Sequence, residues 1–197
     1  PVGFMEEATS ENVLVGIGMG RRAGYMYGKN LERSARGQVD VGNGKAAAFG
    51  SIGILAPNQI IKETDQNLVI DGVKFEFHTA AGSEAPSEMT FYLPELKAYC
   101  GAEVAVQTMH NLYTLRGAKV RDALLWSGAI DDAIERFGDA EIVFNSHGWP
   151  TWGQARVLDY LGKQRDVYKF IHAQTLRLAN SGATPNEIAE ELVMPES

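Results

Sequence analysis

The chain has 197 residues, 45% of them hydrophobic and 22% charged, with a formal net charge of −7. That length supports one sound core and part of a second domain, and the acidic balance argues against a general nucleic-acid binder while leaving room for a local anion site. The single cysteine, Cys100, excludes an intrachain disulfide and a Cys-rich zinc knuckle, and it reads as a small core residue.

Asn12–Val15 is an apolar run that fits a strand or the start of a buried helix, and glycines follow at 16, 18, 20 and 24. Residues 35 to 50 read as a long glycine-rich loop. Ile52–Ala56 reads as a strand closed by Pro57-Asn58. Asp71-Gly72 between Leu68–Ile70 and Val73–Phe77 is a hairpin signal. Met89–Leu93 and Lys97–Gly101 read as two more strands, with a turn at Pro94-Glu95. A helix is predicted from Ala123 to Phe137, with Asp122 as N-cap and Gly138-Asp139 as its end. Glu141–Asn145 reads as a buried strand, and Trp152–Asn180 as one long helix stopped by Gly182. Thr184-Pro185-Asn186-Glu187 is a capping box opening a last helix through Leu192. The class is mixed α/β with a helical appendage, the boundary falling near Pro150. No apolar run reaches a membrane-spanning length. No leader pattern opens the chain, but Pro1 and Met194–Ser197 read as interior sequence, so this says nothing about export.

Gly18-x-Gly20-x-x-Ala23 matches a dinucleotide-binding pattern, but no helix or second parallel strand is evident after it, and it reads better as a close-packed loop. Gly44-Lys45 lacks the remainder of a phosphate-binding loop. Among the glutamates, Glu88 and Glu95 read as solvated. Glu84, between Gly82-Ser83 and Ala85-Pro86, and Glu103, just after Tyr99-Cys100-Gly101, hold rim positions where sites are built. None of the four histidines has the spacing of a local zinc motif. His172 reads as structural or exposed, and His78 fits either role. His147 closes a buried strand, and with Glu84 and Glu103 it would make a carboxylate-rich set suited to zinc, one reading among several. Arg116, beside Gly117, offers the planar donor fork that a sulfate or phosphate prefers.

Ordered motifs along the chain carry a resemblance. They include Met5-Glu-Glu-Ala, Arg21-Arg22-Ala, Tyr25-Met26-Tyr27-Gly28, Gly82-Ser-Glu84-Ala-Pro-Ser-Glu88-Met89, His110-Asn111-Leu-Tyr-Thr-Leu-Arg116-Gly117-Ala, Val120-Arg-Asp122, His147-x-Trp149-Pro150-Thr-Trp152-Gly153 and Gln174–Asn180. Together they resemble the alkyl sulfatases of the metallo-β-lactamase fold, the dodecyl sulfate hydrolase-like enzymes. The resemblance implies the second half of an αβ/βα sandwich at 1–150 and the first helices of an all-α dimerisation domain at 151–197. It implies two zinc ions, with Glu84, Glu103 and His147 as ligands, Arg116 gripping the sulfate and Asn111 beside it. The family's H-x-H-x-D-H loop, which supplies four ligands, is not in this sequence, so the chain reads as an internal fragment. Many members carry His-His where this chain has His147-Gly148. The expected activity of the whole enzyme is hydrolysis of alkyl sulfates by a homodimer without a membrane span, periplasmic or secreted by resemblance. The fragment alone is expected to be inactive. The alternative is a non-catalytic binding or assembly module.

Overall fold

A computed structural model describes residues 1–9, 16–41 and 53–196. Among the described residues two short helices come first, α1 (Phe4–Thr9) and α2 (Gly16–Met26). The strands are β1 (Asn67–Ile70), β2 (Val73–Thr79), β3 (Met89–Leu93), β4 (Ala98–Cys100), β5 (Ile142–Phe144) and β6 (Thr151–Trp152). Helix α3 (Ala123–Phe137) lies between β4 and β5. Helices α4 (Gln154–Asn180) and α5 (Pro185–Glu191) close the chain. The strands form one six-stranded sheet in the order β1-β2-β3-β4-β5-β6. All neighbouring pairs are antiparallel except β4 and β5, where α3 makes the crossover that parallel strands need.

The local signals act where expected. Asp71 and Gly72 both take positive φ, 50° and 83°, the geometry of a tight hairpin turn that matches strand twist. The Asp122 carboxylate accepts from the backbone N–H groups of Leu124 and Leu125, covering orphan donors at the start of α3. The Thr184–Glu187 capping box is complete, and Gly182 (φ 97°) follows the end of α4.

Alternation sorts the sheet into two faces. Tyr92, Tyr99 and Val143 face α3 and α4 and pack with Trp126, Ile130, Ala133, Phe137, Val157, Leu161 and Tyr168 in the buried core. Phe75, Phe91 and Phe144 line the opposite face, Phe75 to Phe91 at 5.3 Å between ring centroids and Phe91 to Phe144 at 6.1 Å. Trp126 stacks on Tyr168 at 4.5 Å, which joins α3 to α4. The division expected near Pro150 falls between β5 and β6, which are hydrogen-bonded neighbours, and the first half of α4 shares the sheet's core.

Three local expectations change. Gly18–Ala23, read as a close-packed loop, lies inside α2 (Gly16–Met26). Glycines cost a helix about 1 kcal/mol each, and contacts of Met19 and Arg22 with the Arg116 loop offset this. Gly53–Ala56 takes no regular structure, and Ile54 and Leu55 are exposed rather than laddered into the sheet. Trp152, expected to open the long helix, pairs with Ile142 in β6, and α4 begins at Gln154. Asn12–Val15, Ile52 and residues 42–50 of the expected loop lie outside the described residues.

Candidate metal centre and anion cavity

Glu84 sits on the loop joining β2 to β3. The loop is closed by Ala80 N–H donating to the Glu88 carbonyl (3.0 Å), and it is pinned inside by buried Ser83, whose hydroxyl donates to the Ala80 carbonyl (2.6 Å). Gly82 turns it with φ 84°, a backbone conformation in which an L side chain would be strained. Glu103 sits on the turn after β4. Gly101 N–H donates to the Phe144 carbonyl at 2.8 Å, and Trp126 Nε1 donates to the Val104 carbonyl at 2.7 Å, so the turn is fixed to both β5 and α3. His147 follows β5, where Ser146 N–H donates to the Ala102 carbonyl at 2.9 Å.

These anchors bring the groups together. His147 Nε2 lies 2.7 Å from Glu103 Oε1. The other oxygen of Glu103 lies 3.7 Å from His110 Nε2, which in turn is 4.0 Å from Glu84 Oε1. One ligand atom from each of Glu84, Glu103 and His110 lies within 4.8 Å of the others. His110 opens one of the motifs that carry the resemblance, and the sequence alone gives it no ligand role. Its placement comes from a tilted ring contact with Trp126 (5.5 Å between centroids) and from Tyr168, whose hydroxyl accepts from the His110 N–H at 3.1 Å. His110 Nδ1 lies 3.0 Å from the Asn111 carbonyl, which can only accept. Nδ1 therefore carries the hydrogen, and in the neutral ring the Nε2 lone pair faces the carboxylates, the tautomer a metal ligand needs.

Arg121 binds this cluster to the loop before it. Its Nη2 pairs with Glu84 Oε1, its Nε donates to the Glu84 carbonyl at 2.7 Å, and its Nη1 donates to Asn111 Oδ1 at 2.8 Å. Asn111, assigned beside the sulfate, is thus held by Arg121 through its amide oxygen. Arg116 lines a cavity of about 780 Å³ together with Glu84, Glu103, Arg22 and Lys119. Its Nη1 lies 3.1 Å from Met19 Sδ. Among the lining residues Val120 is an apolar side chain at 75% exposure.

Glu88, read as solvated, is half-buried. Burial and then the neighbouring Glu84 carboxylate push its carboxyl up to about 8, so it is protonated near neutral pH and shares a hydrogen bond with Glu84. His78 is not part of the cluster. It is buried under α3, with Nε2 2.6 Å from Asp132 and Nδ1 3.1 Å from Thr90. Cys100 is half-buried, and burial raises its thiol pKa, in keeping with a core role.

No protein-family model matches the chain. A linear primary-alkylsulfatase of Pseudomonas sp. is 47% identical over 197 residues, covering 100% of this chain and 29% of the relative. The alkyl/aryl-sulfatase BDS1 of Saccharomyces cerevisiae is 50% identical, covering 100% and 31%. The solved stereoselective inverting sec-alkylsulfatase Pisa1 from Pseudomonas sp. superposes on all of this chain and 31% of its own, with a TM-score of 0.94 and 43% identity. Over its whole length the chain resembles alkylsulfatases. The α/β sheet and helices of this alkylsulfatase-like chain are those of the matching part of Pisa1. The chain spans about 30% of the length of these relatives. No described helix is long and apolar enough to cross a membrane.

Proposed function

We propose that the full-length protein carrying this chain hydrolyses alkyl sulfate esters to an alcohol and inorganic sulfate, using zinc held in part by this chain. The observation that carries the reading is the grouping of Glu84, Glu103, His110 and His147 beside a cavity that also carries Arg116. Partly buried carboxylates and imidazoles with atoms this close suit a divalent ion of zinc's borderline character. Glu84, Glu103 and His147 are the proposed ligands, and the Nδ1–H tautomer of His110 adds a fourth donor. Two ions per subunit follow from the family resemblance. The chemistry such ions supply is Lewis acidity toward water and toward ester oxygens.

The residues of the chain do the rest. Arg116 holds the sulfate and stabilises the charge that builds on it. Asn111 positions Arg121, and Arg121 in turn orients Glu84. Val120 and Met19, which line the cavity, offer the alkyl chain apolar surface. The helices after residue 150 are read as the start of the dimerisation domain. The test compares the full-length protein with the 197-residue chain for sulfate release from dodecyl sulfate and for metal content. The full-length protein should be active and lose activity with a chelator, and the chain alone should show little or none. A full-length protein that binds zinc and releases no sulfate from any alkyl sulfate defeats the reading and leaves the binding-module alternative.

A further inference from the structure

Helix α2 reaches the anion cavity at two points. Met19 Sδ meets the tip of the Arg116 guanidinium, and Arg22 Nε donates to the Arg116 main-chain carbonyl at 2.6 Å. Arg22 also lines the cavity. Its Nη2 lies 2.9 Å from where a Cβ on Gly117 would stand, and Gly117 holds φ 105°. The glycine therefore does two things here. It permits the left-handed turn after Arg116, and it leaves room for a second guanidinium beside the first.

Two guanidinium cations in one cavity repel unless an anion sits near both. The cavity does contain carboxylates, but each is engaged elsewhere. Glu84 pairs with Arg121, Glu103 bonds His147, and Glu7 accepts from the Ser87 N–H and hydroxyl. Among the described residues no carboxylate pairs with Arg22 or Arg116, and both charges face the cavity that an incoming group would enter. A tetrahedral oxyanion with several acceptor oxygens suits two donor forks that converge from different directions.

We propose that Arg22 is a second sulfate-holding residue of this cavity. Its Nη donors contact the anion, while its Nε fixes the backbone that carries Arg116. The inference rests on the alkyl sulfatase reading and deepens it. It makes α2, more than ninety residues upstream of Arg116, a wall of the substrate site and not only a support for it.

The experiment uses the metal-loaded full-length protein as wild type, Arg22→Gln and Arg22→Lys. Readouts are kcat and KM for an alkyl sulfate, the inhibition constant of an alkyl sulfonate (whose carbon–sulfur bond is not hydrolysed) and metal content. Losing a charge-assisted fork should weaken binding about tenfold. Arg22→Gln should therefore raise KM and the sulfonate constant together by about that factor, with metal content unchanged. Arg22→Lys should recover part of the loss. A sulfonate constant within twofold of wild type in Arg22→Gln overturns the assignment. Should that variant fail to fold, Arg22→Lys decides: intermediate affinity supports the fork, and full wild-type affinity overturns it. A wild-type protein that neither binds sulfonate nor cleaves sulfate overturns the functional reading and this inference with it. An active wild type with an indifferent Arg22→Gln overturns this inference alone.

Discussion

Replacing Arg121 by methionine should destabilise the chain by about 3 kcal/mol, because it leaves a nearly buried carboxylate without its partner. The Arg121 side chain is 8% exposed and that of Glu84 12%, so neither has the hydration that makes surface pairs worth almost nothing. The guanidinium holds the Glu84 carboxylate, the Glu84 carbonyl and both oxygens of Asn111. Methionine keeps much of the volume and none of the donors. The figure sits at the low end of the range for breaking a buried pair, since Glu84 lines a cavity that water can enter. For a chain of this size it corresponds to a drop in Tm of about 6–12 °C. Urea unfolding of wild type, Arg121→Met, Glu84→Gln and the double variant measures it. The double variant should be less destabilised than the sum of the singles, with a coupling of about 2 kcal/mol. A single-variant loss below about 1 kcal/mol with negligible coupling would show a solvent-screened pair, and Ser83 and the loop's backbone bonds would then hold Glu84.

Gly148 takes φ 90°, and a Cβ there would stand 2.5 Å from Gln107 Cγ. Gly148→Ala should cost about 1–3 kcal/mol, because Gln107 would have to leave Trp149 O and Thr151 Oγ1; urea titration reads this, and His147 should shift with it. Asp122→Ala should cost about 1 kcal/mol through loss of the α3 cap, with little change in metal content. Burial holds the His78 imidazole below its ordinary pKa despite the opposing pull of Asp132. The unfolded chain takes up a proton near pH 6.5 that the folded chain refuses, so this contribution is complete above about 6.5. It falls with pH down to the folded value, by at most about 1.4 kcal/mol per pH unit. His78→Gln should flatten the slope between pH 6.5 and 5 in stability measured against pH.

What could be read from the sequence was local. Asp71-Gly72, Asp122 and Thr184–Glu187 act within a few residues of themselves, so their chemistry predicts their geometry. The rim positions were legible because Glu84 comes just before a strand and Glu103 and His147 just after one. Glu88 was misread because its burial comes from packing and from Glu84 across the loop, which no spacing encodes. His110 carried no ligand signal, since its orientation depends on Trp126 and on Tyr168, 58 residues away. Helix α2 was missed for the same reason. Its glycines argue against a helix locally, and what supports it is a loop near residue 116.

On the proposed reading, Arg121 also bears on how the centre would take a metal. Its Nη2 engages Glu84 Oε1, the oxygen that faces His110. A divalent cation and this guanidinium therefore compete for one carboxylate, or divide its two oxygens between them. Division is the arrangement the backbone favours. Arg121 is also held by the Glu84 and Asn111 carbonyls, neither of which a metal displaces. In that arrangement Arg121 withdraws charge from Glu84 and lowers its donor strength, while fixing its direction. Arg121→Met would then have opposite effects on two quantities. The loop loses rigidity, which weakens metal binding, and the carboxylate gains charge, which strengthens it. Geometry should win, since outer contacts that orient a ligand are typically worth ten- to a hundredfold in affinity. Competition of the full-length protein with a zinc chelator measures the balance. Weaker zinc binding in Arg121→Met means that the arginine orients the ligand. Tighter binding would mean that it chiefly competes with the metal.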